Sequence, residues 1–335
     1  MVNLPPYPTQ MKPYGRALVE LARSREEILC LSGDLTRQTE VDLFQEEFPE
    51  RFIHAAMAEA NMVSMAGALA RRGFVPFVHT FGVFATRRPL DQIVNSVAYP
   101  NLPVRLVGFM PGVSSPGGPS HQAIEDVALM RALPHMTVVD VADATEIRQA
   151  VAAIADVAGP VYLRLKRGEI PVIFGDDHEF SLTRAQLLSS GEDVLLVASG
   201  MMLSSALAAA SALEAVGVDV GVLNVPVIKP LDRAGVIDAV SRARAVVSAE
   251  NHSVIGGLGS AVAEVIAEEG LGRKLRRVGL ADTFAEGAKD AASLFRKYGL
   301  STQDVIDAAW EVFGRSGPAP SAPVLEMAPG EYAPV

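Results

Sequence analysis

Arg51-Phe-Ile-His-Ala-Ala-Met-Ala-Glu59-Ala-Asn-Met-Val-Ser-Met-Ala-Gly-Ala-Leu-Ala-Arg-Arg-Gly73 decides how the rest of the chain is read. Its β-branched and aromatic start predicts a strand over Arg51 to Ala55. The Ala/Met-rich run that follows predicts a helix that is apolar nearly all round and therefore buried, with Gly73 as its stop. The stretch holds one carboxylate, Glu59, at the start of that helix. Desolvation penalises the charged form of a buried acid, so this position suits a proton held or shared rather than a solvated charge. The alternative is an ordinary first-turn acid stabilised by the helix N-terminal dipole.

Outward from this stretch the chain alternates. Tyr14 to Ala22 repeats apolar residues at helical spacing, and Glu27 to Leu31 reads as a buried strand ending in Ser32-Gly33-Asp34-Leu35-Thr36. Downstream come a strand over Val75 to Val78, a helix near Leu90 to Ala98, a strand over Val104 to Phe109, a helix from Gln122 and a strand over Met136 to Asp140. A helix opens at Asp143 with Glu146 in a capping-box pattern, and Val161 to Leu165 is a further strand. Such alternation implies a parallel, doubly wound sheet, in which ligands bind at the carboxyl ends of the strands.

Charge and turn residues collect between Lys166 and Gly191, and the pattern restarts at Asp193. A helix around Leu203 to Val216, a strand around Val218 to Val225, a helix after Asp232, a strand over Ala245 to Ala249 and a long helix after Gly256-Gly257-Leu258-Gly259 make a second unit. The expected fold is α/β with two doubly wound domains, over residues 1–180 and 190–315, and a Pro/Ala-rich tail over 316–335. The Gly256–Ser260 run lacks the full dinucleotide spacing and the Lys-Ser/Thr of a phosphate loop, so close backbone packing accounts for it.

At 335 residues and 35.5 kDa the chain is long enough for two cores. It is 49% hydrophobic, but no apolar run is long enough to cross a bilayer. Met1-Val-Asn-Leu-Pro-Pro-Tyr-Pro has neither the basic region nor the apolar core of a signal peptide. The one cysteine, Cys30, sits in an apolar run and reads as a packing residue. These features favour a soluble, cytoplasmic protein. A net charge of -10 without a basic stripe argues against nucleic acid as a partner.

Asp34, Glu59, Thr80-Phe81-Gly82-Val83-Phe84 and Gly117-Gly118-Pro119-Ser120-His121-Gln122 all fall at strand ends, where one crevice can hold them. Phe81 and Phe84 suit a flat wall for a heteroaromatic ring, or ordinary core. His121 follows a Gly-Gly-Pro turn, where an imidazole serves equally as a proton-transfer group or a cap.

In order and spacing, Met57-Ala-Glu59-Ala-Asn-Met62, Thr80-Phe81-x-x-Phe84, Gly118-Pro-Ser-His121-Gln122 and the exit Lys166-Arg167-Gly-Glu-Ile-Pro171 resemble the pyrimidine-binding domain of the transketolase family of thiamine diphosphate enzymes. The second unit resembles that family's C-terminal domain. The resemblance implies that Glu59 hydrogen-bonds the aminopyrimidine ring of the cofactor, that Phe81 and Phe84 stack on it and that Asp34 lies at the cofactor interface. It implies that His121 contacts substrate oxygens and that Arg16 and Arg167 bind a sugar phosphate. The family's Gly-Asp-Gly diphosphate and Mg2+ (or Ca2+) site belongs to a domain that this sequence does not contain, so the resemblance implies a partner subunit carrying it and no metal ligands here. The expected assembly is a homodimer within a heterotetramer. The expected reaction transfers a two-carbon ketol unit between sugars, with a deoxyxylulose-phosphate synthase-like subunit, a 2-oxo acid dehydrogenase β subunit or a non-catalytic regulatory homologue as alternatives. Gln38, Phe109 and Gly117 replace a phosphate-contacting serine, a histidine at the phosphate end and an acid that reads a substrate hydroxyl, and Arg87 stands where the family often has a third aromatic.

Overall fold

Ile28–Ser32, Arg105–Phe109 and Val161–Leu165 are buried at every position, as strands covered by helices on both faces must be. A computed structural model, which describes residues 6–323, places them in a seven-stranded sheet. Its order is Val227–Lys229, Thr137–Asp140, Val161–Leu165, Arg105–Phe109, Val75–Phe81, Ile28–Ser32, Phe52–His54. Every neighbouring pair is parallel except the first, where Val227–Lys229 runs antiparallel to Thr137–Asp140. A five-stranded sheet forms the second unit, in the order Lys274–Leu280, Ala245–Ser253, Val194–Ala198, Val220–Asn224, Gln186–Ser189, again with one antiparallel edge. The fold is thus α/β with two wound sheets, each mostly parallel. Residues 324–335 of the expected tail lie outside the described residues. No helix among the described residues is long and apolar enough to cross a membrane.

Strand order reverses beside Ile28–Ser32, which pairs with Phe52–His54 on one side and Val75–Phe81 on the other. That switch opens a crevice beyond the carboxyl ends of the two strands, where Gly33-Asp34 and Phe81 emerge.

The helix expected to end at Gly73 runs Glu59–Ala70, and Gly73 closes the turn with φ 94°. It is not buried all round: Asn61, Ser64 and Ala68 face outward while Met62, Val63, Ala66 and Gly67 face the core. Gly67 is required, because a Cβ there would lie 2.4 Å from the Ser96 carbonyl oxygen of the helical turns Ile93–Ala98. The helix expected from Gln122 starts instead at Asp126. Gln122 is held in extended backbone because its Nε2 donates to the carbonyls of Ser115 (3.0 Å) and Glu286 (3.2 Å). At the helix Ala144–Ala155, Asp143 caps the Glu146 N–H at 2.8 Å, but Glu146 reaches back to the Ala142 N–H rather than to that of Asp143.

The two units meet around a buried guanidinium. Arg164 donates from Nε to Asp126 Oδ2 at 2.7 Å, from Nη1 to Asp140 Oδ2 at 3.1 Å and from Nη2 to the Asn251 carbonyl at 3.0 Å. Ser199 adds a bond to Asp140 at 2.8 Å, so both carboxylates and the cation are satisfied without water.

Candidate functional site

At the switch point lies a cavity of about 270 Å3 whose walls include Asp34, Glu59, Phe81, Phe84 and His121. Five residues singled out in the sequence, far apart along the chain, are thereby brought to one place. Each arrives for a local reason. Asp34 follows the Ile28–Ser32 strand with φ 70°, which turns its side chain outward, and Oδ1 lies 3.4 Å from Nε2 of His54 at the end of the neighbouring strand. Phe81 ends its own strand, and Phe84 stands one turn into the short helix Gly82–Thr86. Their rings are 20° from parallel with centroids 6.1 Å apart. His121 sits in a single 3-10 turn, Pro119–His121, edge-on to Phe84 at 5.3 Å, with its Nδ1 2.9 Å from Ser120 Oγ.

Glu59 is 3% exposed, and Oε1 accepts a hydrogen bond from Arg88 Nη1 at 2.8 Å. The same guanidinium lies over the Phe84 ring, 4.0 Å from its centroid. The acid is therefore charge-paired rather than alone in apolar surroundings. Arg88 escaped the sequence reading; it lies in the turn just past the helix Gly82–Thr86 that carries Phe84.

Arg16 and Arg167 do not line this cavity. Arg16 is exposed on the helix Pro13–Ser24, and Arg167 is half-buried just past the strand Val161–Leu165. A two-stranded ribbon, Thr9–Met11 against Glu169–Pro171, draws their two segments together. Phe109 is fully buried, edge-on to Tyr14 at 5.6 Å, and so belongs to the core behind the site rather than to its wall. Tyr14 Oη in turn lies 2.6 Å from His79 Nε2, while His79 Nδ1 lies 3.0 Å from the Leu31 carbonyl oxygen. A carbonyl only accepts, so Nδ1 carries the proton and Nε2 accepts from Tyr14. Burial pushes this imidazole down to about 4, which keeps it neutral. Gln38 is half-buried in the loop after Asp34, and Gly117 bridges to Gly287 of the second unit. Arg87 reaches to the His121 loop: it pairs with Glu125 and donates to the carbonyls of Pro119 and Gln122.

A planar, weakly basic ring with one hydrogen-bonding edge fits this arrangement: a buried carboxylate at the floor and aromatic faces beside it. Arg88 is the one arginine or lysine among the residues lining the cavity, which is too little positive charge for a diphosphate. The residues thus fit the aminopyrimidine part of thiamine diphosphate.

Comparisons with known proteins show the family. The model of the transketolase pyrimidine-binding domain matches residues 8–172, and that of the transketolase C-terminal domain matches residues 183–305. The chain is 43% identical over 302 residues to an uncharacterized transketolase family protein of Sinorhizobium fredii, covering 89% of this chain and 87% of that one. It is 42% identical over 304 residues to a 6-deoxy-6-sulfo-D-fructose transketolase subunit of Clostridium sp. (strain MSTE9), covering 90% and 94% respectively. Among solved structures, a split gene transketolase described as an inactive beta4 tetramer superimposes with a TM-score of 0.84 at 43% identity, covering 90% of this chain and 97% of that one.

Proposed function

The chain belongs to the transketolase family, and we propose that it is one subunit of a split, thiamine diphosphate-dependent transketolase. In this reading it moves a two-carbon ketol unit from a ketose donor to an aldose acceptor, both anionic, and a partner subunit binds the diphosphate and Mg2+. The observation that carries the reading is the convergence of buried Glu59 with Phe81 and Phe84 in one cavity at the switch point. Thiamine diphosphate, when bound, supplies the nucleophilic carbon and the electron sink for breaking and forming the carbon–carbon bond.

Each side chain has a task. Glu59 would offer its buried carboxyl group to the pyrimidine edge in place of Arg88, and its burial would keep water from competing for that bond. Phe81 and Phe84 fix the plane of the ring, and Asp34 stands at the open rim facing the partner. His121, exposed at the cavity, offers an imidazole N–H or lone pair to the substrate's oxygen-bearing groups. Arg16 and Arg167 meet the anionic end of the sugar, a role that suits permanently charged, planar guanidinium groups. The relative that acts on a sulfonated fructose supports an anionic rather than a neutral substrate.

The test is a coupled assay of this chain mixed with a diphosphate-binding transketolase subunit from the same source, with thiamine diphosphate, Mg2+ and a panel of phosphorylated and sulfonated ketoses and 2-oxo acids. Ketol transfer in the mixture and in neither chain alone is the expected result. Turnover of 2-oxo acids only, or a stable complex that binds cofactor without turnover, would replace the reading with a dehydrogenase-type or a regulatory subunit.

A further inference from the structure

His121 has no regular element to fix it. It lies in a segment from Gly112 to Glu125 whose one helical feature is a single 3-10 turn, yet the imidazole must stand at a defined distance from the cavity. Two sets of contacts hold that segment. On the side of the second unit, Gly117 bridges to Gly287, the Ala288 N–H donates to the Pro116 carbonyl at 3.0 Å and Gln122 Nε2 donates to the Glu286 carbonyl. On the side of the cavity, besides the edge-on contact of Phe84 with His121, one side chain donates hydrogen bonds to the segment. Arg87 caps the helix Gly82–Thr86 that carries Phe84, and its Nη1 and Nη2 each donate at 3.1 Å to the carbonyls of Pro119 and Gln122. Those carbonyls bracket Ser120 and His121. The guanidinium is itself oriented by Glu125, which takes Nε and, at 2.7 Å, Nη2.

We propose that Arg87 is a positioning residue for His121, locking the two carbonyls on either side of the Ser120-His121 pair to the helix that carries Phe84. The proposal rests on the reading of His121 as the substrate-facing imidazole. It explains why a cation stands where a third aromatic is common in the family: the ring wall gives up one face, and the loop gains a four-bond anchor. A planar fork spans two carbonyls and a carboxylate together, which an ammonium group does not.

Three variants test this in the assembled two-subunit complex and in the chain alone: R87M, which keeps the stem and loses every hydrogen bond, R87K, and E125Q. Because a displacement of about 1 Å costs on the order of 100-fold in rate, R87M is expected to lower kcat by roughly 10- to 100-fold. Calorimetric affinity for thiamine diphosphate should stay within about twofold of wild type, since Arg87 does not line the ring cavity. R87K should not restore the rate, and E125Q should lie between. In the double variant with H121A, R87M should cost nothing further, because a residue acting only through His121 has no effect without it. In the chain alone, the imidazole proton resonances of His121, assigned by their loss in H121A, should shift and broaden in R87M.

Wild-type kcat with unmoved His121 resonances in R87M would overturn the proposal, as would an equal rate loss in the H121A background. If the wild-type complex shows no ketol transfer, the functional reading fails instead, and the resonances still decide whether Arg87 places the imidazole.

Discussion

In the proposed reading a bound pyrimidine ring uses the Glu59 acceptor and the face of Phe84, and Arg88 occupies both. Ring and guanidinium compete for the same positions. A half-exposed ion pair and a cation–π contact are each worth roughly 1 kcal/mol, so R88A is expected to bind thiamine diphosphate up to about thirtyfold more tightly than wild type by titration calorimetry. Equal or weaker binding would mean that the arginine cooperates with the ring. A second titratable group has a consequence in pH. Glu40 is buried, its Oε2 accepts from the Gly15 N–H at 3.0 Å, and burial pushes its carboxyl up to about 7 from the ordinary 4.5. The folded chain therefore keeps a proton that the unfolded chain gives up near 4.5. The stability this contributes is complete below pH 4.5 and is lost as pH rises through 7. E40Q should melt like wild type at pH 4 and higher than wild type at pH 8, the gain being on the order of 3 kcal/mol at about 1.4 kcal/mol per pKa unit. A constant difference across that range would place the effect elsewhere. The residues that meet in the cavity were legible in the sequence because strand ends and turn residues mark them. Arg88 was not, nor was the anchoring of Arg87, whose position was read only as a missing aromatic, since charged pairs after an aromatic are ordinarily solvated and their partners, Glu59 and Glu125, come from other segments.

Helix Ala144–Ala155 shows how much one cap can carry. Asp143 accepts from the Glu146 N–H and, through Oδ2, from the N–H groups of Ile173 and Phe174, each at 2.8 Å. D143A leaves three buried donors unpaired, so it is expected to cost about 2 kcal/mol or more in chemical denaturation; a cost near zero would mean water reaches them. Such local signals made most of the parallel strands and their helices readable: apolar runs, caps, and glycine at the stop; the strand Lys274–Leu280 and the helices after it were not read. The antiparallel edges were not readable. Val227–Lys229 and Gln186–Ser189 are three and four residues long, and what makes them strands is a partner far away in sequence. The same holds for the segment from Gln122 to Glu125, which carries a helical pattern but is pulled straight by the Gln122 bond to Glu286.

Across the whole molecule, the Arg164 network makes one cooperative body of two sheets. Its cation and Asp126 and Asp140 belong to the first unit, and the Asn251 carbonyl to the second. Removing the cation strands two buried carboxylates, which costs roughly 3–5 kcal/mol. Trp310, the one tryptophan, reports on the second unit, whereas far-UV dichroism reports on both. In urea the two signals are expected to coincide in wild type and to shift together to lower concentration in R164M. Separated transitions would show units that unfold independently. The antiparallel partner of Thr137–Asp140 bears on a different matter, the descent of such chains. A first unit severed from the second keeps its hydrophobic layers but exposes a row of unsatisfied amides and carbonyls, an open template for copies of itself. Residues 1–180 made alone should elute as aggregates, and a soluble monomer would contradict this. Shuffling either half onto an unrelated neighbour then requires the newcomer to bring a strand in matching register, so gene rearrangement can move the two halves as a pair far more readily than it can part them.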